Sequence, residues 1–175
     1  MANNTKSHLP LLVLVVIILA IVSLRPLRIL RQESAGMEPS VKQGELMAVN
    51  AIAYQLTSPQ RWDVIAYSPP VKDSRIWCSR IVGLPGDVID FQSEGLLING
   101  KPIIRPGETL PAGSGAVAQS SLAYEWKCSV PEVTFPYKVP ANSYFTLGDN
   151  ADNSLDGRFW GALRAGNIVG KILGK

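Results

Sequence analysis

The chain of 175 residues has one histidine, His8, and two cysteines, Cys78 and Cys128. No cluster of His, Cys, Asp or Glu has metal-ligand spacing, so the sequence implies neither a metal nor a cofactor. Two cysteines permit at most one disulfide and do not define a redox compartment. The charge excess is only +3, with basic residues scattered among acidic ones. That argues against a nucleic-acid partner, which would favour a dense basic stripe. Long helical periodicity is also missing after the first apolar run, and no internal repeat is evident.

The apolar run itself is the main organising feature. Leu9 to Leu24 is interrupted only by Pro10 and Ser23, and lies between Lys6 with His8 on one side and Arg25, Arg28 and Arg31 on the other. It is read as an uncleaved transmembrane anchor, slightly short of the roughly twenty residues that span a bilayer, with basic flanks able to snorkel. A cleaved secretory signal is the rival, but Ser23, Leu24 and Arg25 make a poor small-residue cleavage site. The domains expected are a short tail at 1–8, the anchor at 9–24 and a β domain at 25–175. By the positive-inside tendency, the arginines after the anchor would place that domain in the cytoplasm.

Beyond the anchor, short apolar segments are separated by Gly, Pro, Asn and Asp at turn positions. Strands are expected near Leu46–Ile52, Val64–Tyr67, Arg80–Leu84, Val88–Phe91, Leu96–Ile98 and Ser143–Leu147, giving a mainly β domain. The stretch 106–121, which includes PAGSGAVAQSS, reads as a flexible surface excursion.

Four segments carry chemistry or its remains: SAGMEPSV at 34–41, RWDVIAY at 61–67, SRIVGLPGD at 79–87 and GDNADNSLDGRFWG at 148–161. In GLPGD, Gly83 and Gly86 flank Pro85 and permit a tight turn that the Asp87 side chain can close. In the last segment, dense Asp and Asn suggest a loop held by side-chain to backbone hydrogen bonds, with Asp156 and Arg158 placed to form an ion pair. Turn chemistry alone accounts for each composition, but not for their joint order.

In that order and spacing the four segments resemble the type I signal peptidase (leader peptidase) family, membrane-bound proteases with a serine and lysine dyad. The resemblance implies an antiparallel coiled-sheet fold on the extracytoplasmic side of a plasma or thylakoid-type membrane, against the charge bias around the anchor. It also implies a serine nucleophile just before Met37 and a desolvated lysine just before Arg80 as general base. Those positions hold Gly36 and Ser79; the nearest lysine toward the N-terminus is Lys72, on the far side of a strand shift that would turn its side chain elsewhere.

Around the dyad, the resemblance places Ser34 on the oxyanion side and Ser154 against the lysine, and makes Asp156–Arg158 the structural ion pair. Ala151 and Gly157 depart from the family pattern, which commonly has Arg and Ser there. Ser34, Ser79 or Cys78 could serve as a displaced nucleophile only with a nearby base, and Cys78 otherwise reads as a buried strand residue. The expected function is a catalytically inactive homologue that binds signal peptides or regulates an active signal peptidase. Its partners would be the membrane, exported proteins, an active peptidase or the translocation machinery. The alternatives are an active signal peptidase with a non-standard nucleophile, and a structural membrane component that no longer binds peptides. Ala48–Tyr54 and the Trp62 region are candidates for membrane contact, with ordinary core as the competing reading.

Overall fold

The computed structural model describes residues 9–24, 26–92, 95–103 and 133–175. The expected excursion at 106–121, His8 and Cys128 lie outside the described residues.

Helix α1 spans Leu9–Leu24, and its side chains between Leu11 and Leu19 that are described are 44–63% exposed. At about 1.5 Å per residue it measures roughly 24 Å, against roughly 30 Å of hydrocarbon. Among the described residues no helix is long and apolar enough to cross a membrane.

The other described residues contain eleven short strands: β1 Leu27–Arg31, β2 Leu46–Asn50, β3 Val64–Tyr67, β4 Trp77–Gly83, β5 Val88–Gln92, β6 Gly95–Ile98, β7 Lys101–Pro102, β8 Tyr137–Lys138, β9 Ser143–Leu147, β10 Leu163–Arg164 and β11 Ile168–Ile172. They form a larger sheet in the order β1-β2-β11-β3-β4-β9-β10 and a smaller one in the order β7-β6-β5-β8. Among the described residues every strand pairing is antiparallel.

Strand β3 shows why an unbroken apolar run occurs inside an alternating fold. All four of its residues are buried. Val64 and Ala66 face one core cluster with Met37, Val49 and Ile172, while Ile65 and Tyr67 face a second with Ile81 and Leu163. A strand covered on both faces has no polar side to present. A third cluster, including Val82, Ile89 and Phe145, joins the two sheets.

The expected strands recur, four of the six with shifted ends. Strand β2 stops at Asn50, whose side-chain oxygen accepts a hydrogen bond from the Ile52 amide at 3.1 Å and turns the chain away. Strand β4 begins three residues early, at Trp77, because the Trp77–Arg80 half pairs with β3 before β9 joins at Arg80. In the GLPGD turn, Gly86 has φ +90° and the Leu84 amide donates to Asp87 Oδ2 at 2.7 Å. Of the residues proposed for membrane contact, Val49 is core, Ile52 is 47% exposed, and the Tyr54 hydroxyl donates to Asp63 Oδ2 at 2.9 Å. Trp62 packs against the third cluster.

Candidate active-site cleft

A cleft of about 220 Å³ gathers residues from three separate segments: Gln32–Ser34 with Gly36, Arg75–Ser79, and Asn153–Leu155. The four sequence-predicted positions Ser34, Gly36, Ser79 and Ser154 all line it. Residues remote in sequence therefore share one cavity.

The first wall is the chain after β1, which enters a 3-10 turn at Ala35–Met37 capped by Ser34. The Gly36 amide donates to Ser34 Oγ at 3.4 Å, while the buried Met37 side chain anchors the turn in the first core cluster. Asn150 fixes the turn from outside. Its backbone amide donates to Gly36 O at 3.1 Å and its side-chain amide to Ala35 O at 3.1 Å. A Cβ on Gly36 would stand 3.2 Å from Asn153 O and 3.4 Å from Ser34 Oγ, a close but not forbidding fit.

The second wall is the start of β4. Ser79 is buried, and its hydroxyl lies 3.0 Å from that of Tyr67 on the neighbouring β3. In the β3–β4 register Ser79 faces Ile65 and Trp77 faces Tyr67, so the long tyrosine side chain reaches Ser79 across the diagonal. Burial pushes the Tyr67 hydroxyl well above its usual range, so it is no proton acceptor at neutral pH. Next to it, Cys78 is a free thiol that donates to Gln32 Oε1 at 2.8 Å. Burial, aided by the Asp149 carboxylate, pushes the Cys78 thiol up to about 12. That is the reverse of the depressed pKa that marks a nucleophilic thiolate.

The third wall is the loop after β9. Ser154 is buried and donates to Asp156 Oδ2 at 2.8 Å. The same carboxylate accepts from the Gly148 amide at 2.9 Å and from Arg158 Nε and Nη2, both at 2.9 Å. Arg158 is the second residue of a short helix, α2, at Gly157–Trp160 and also donates to Ala151 O at 2.9 Å. The expected Asp156–Arg158 ion pair is thus the fully hydrogen-bonded centre of this loop.

A second buried pair ties the loop to β4. Arg80, adjacent to Ser79, grips Asp149 through Nε at 2.8 Å and Nη2 at 2.6 Å, and donates to Trp62 O at 2.8 Å. Reading the sequence alone missed Gln32, Tyr67 and Asn150 as parts of the site. Tyr67 could have been found by pairing Val64–Tyr67 with the β4 segment. Gln32 and Asn150 carry no local signal, since their partners lie across the fold.

Chemically, the cleft holds a turn with a backbone amide donor, hydroxyl groups at three points and a shielded ionic frame. The family profile described as signal peptidase, peptidase S26, matches residues 5–174, and the chain belongs to this family. It is 32% identical over 144 residues to signal peptidase I V of Bacillus subtilis (strain 168), covering 80% of each chain. It is also 31% identical over 199 residues to signal peptidase I of Pseudomonas fluorescens, covering 95% of this chain and 69% of the relative. Among solved structures, a signal peptidase I from Enterococcus faecalis V583 matches at a TM-score of 0.45 and 24% identity, covering 66% of this chain and 97% of the other.

Proposed function

We propose that this chain is a catalytically inactive signal peptidase homologue that docks signal peptides without cutting them, or regulates an active relative. The observation that carries the reading is chemical: Gly36 and Ser79 occupy the cleft positions where the family resemblance requires a nucleophile and a base. Among the described residues lining the cleft there is neither lysine nor histidine. Losing one member of such a pair typically costs on the order of a million-fold in turnover, and losing the second adds little. The Cys78 thiol, held in its protonated form, speaks against a substitute nucleophile.

Retained docking is supported by the edge of β4. Strand β9 pairs with β4 only from Arg80 onward. At Cys78 and Ser79, therefore, no strand lies alongside on that edge among the described residues. An extended peptide can add there through main-chain hydrogen bonds, with small side chains entering the cleft. We assign α1, apolar but for Ser23 and with its described side chains exposed, to the membrane, with the β domain on the extracytoplasmic side.

The test is cleavage of a fluorogenic signal-peptide substrate by the full-length protein in detergent, beside a Gly36→Ser, Ser79→Lys double variant. Silence from the natural chain with cleavage by the double variant is the expected result. Cleavage by the natural chain at a rate comparable to a working peptidase would overturn the proposal.

A further inference from the structure

Gln32 and Glu33, consecutive in the chain, bind the opposite wall of the cleft at two different points. Gln32 is buried; its side-chain amide donates to Ser34 O at 3.0 Å and its carbonyl accepts from the Cys78 thiol at 2.8 Å. Glu33 is exposed, and its Oε2 meets Arg75 Nη1 at 3.0 Å. One tie runs along the floor, the other along the rim.

The two partners of the rim tie are held very differently. Arg75 is fastened to its own wall by Asp73, at 3.0 Å from Nε and 2.7 Å from Nη2. Asp73 is in turn fixed by the Trp77 indole N–H at 3.0 Å, and its side chain is only 8% exposed. The Glu33 side chain is 61% exposed. Separation would leave Arg75 in place with Asp73 and release Glu33 into solvent.

We infer that the Glu33–Arg75 ion pair is a latch across the mouth of the cleft, holding its two walls together against entry of an extended peptide. The inference rests on the peptide-docking reading above, because the latch spans the space between the Gln32–Gly36 wall and the open β4 edge. An exposed ion pair is weak and salt-screened, which suits a contact that must yield to a ligand. The floor tie keeps the walls in register when the rim opens.

Cys78 supplies a reporter that needs no peptide, since it lines the cleft and its thiol bonds Gln32 of the opposite wall. The experiment measures maleimide labelling of Cys78, read by peptide mass spectrometry on the full-length protein in detergent. It compares the natural chain, Glu33→Gln and Arg75→Gln. At low salt, both variants are expected to label about threefold faster than the natural chain, which approaches their rate at about 0.5 M salt. Equal labelling of the natural chain and Glu33→Gln, or an Arg75→Gln variant that labels like the natural chain, overturns the latch.

Binding of a fluorescent signal peptide to the same proteins separates the two claims. The expected result is about threefold tighter binding by Glu33→Gln. If Cys78 responds but no variant binds peptide, the pair still governs access to the cleft, and it is the docking reading that falls. If peptide binds all variants equally and Cys78 is indifferent, docking stands and the latch falls.

Discussion

The ionic frame of the cleft and the Gly36 and Ser79 positions beside it are neighbours held in different ways. Arg80 and Asp149, Asp156 and Arg158 keep complete hydrogen-bonded pairings, while Ser79, adjacent to Arg80, and Gly36 hold no proton acceptor or nucleophile of the expected kind. The difference follows from folding energetics. A buried charge stripped of its partner is strongly destabilising, so each frame residue is held by the stability of the whole domain. A serine hydroxyl or a lysine amine in a cleft carries no such obligation. Removing it costs the reaction and leaves the architecture.

The sharpest way to break this comparison is to attack the frame. Asp156→Ala would leave Arg158 buried without its carboxylate and release Ser154 and the Gly148 amide; it is expected to cost about 3–5 kcal/mol in urea unfolding. A loss below about 1 kcal/mol would mean that the frame is as dispensable as the dyad.

Gly36 in the cleft and Gly148 packed behind it sharpen the contrast at smaller scale. A Cβ on Gly148 would fall 2.0 Å from Ser154 Oγ and 2.5 Å from Gly36 O, so backbone must move. Gly148→Ala is expected to cost about 2 kcal/mol or more, by the overpacking penalty of a filled interior. Gly36→Ala, whose nearest contact is 3.2 Å, is expected to cost under about 1 kcal/mol. Thermal melts of the two variants, run side by side, measure the difference; equal losses would show that Gly36 too is structurally required.

The smallest expected effect lies at the rim. Arg75, by hydrogen bonding and charge, holds the Asp73 carboxyl down to about 2. Because the folded-state pKa is depressed, the stability it contributes is complete above the unfolded value of about 3.9 and is lost as pH falls through about 2. Urea midpoints at pH 5 and at about pH 2.5 should therefore diverge slightly less in Asp73→Asn than in the natural chain. A larger divergence in the variant would reverse the sign and remove Asp73 from the list of acid-sensitive groups.

Much of the fold is legible in the sequence. Val64–Tyr67 and Ser143–Leu147 form strands with the expected ends, since both are apolar runs bounded by turn residues. Strand β1 was not legible: in LRILR the arginines read as flanks of the apolar helix, whereas they lie in an exposed strand paired along its length with β2. Strand β11 was missed for another reason. Its short sequence IVGKI gains its meaning from lying between β2 and β3, where Gly170 brings the chain so close that a Cβ would stand 2.4 Å from Asn50 O. In the cleft, the positions of Ser34, Gly36, Ser79 and Ser154 followed from motif order. Gln32, Tyr67 and Asn150 did not, because their roles depend on which segments the sheets bring face to face.

Gly36 has a further consequence for how this chain would be seen in a cell. Electrophilic probes that label serine proteases need an activated hydroxyl to acylate, and the turn at Ala35–Met37 offers none at its centre. The neighbouring Cys78 thiol stays protonated. On the inactive reading proposed above, such serine-directed probes would mark active relatives and pass over this one, leaving it invisible to surveys that rely on them.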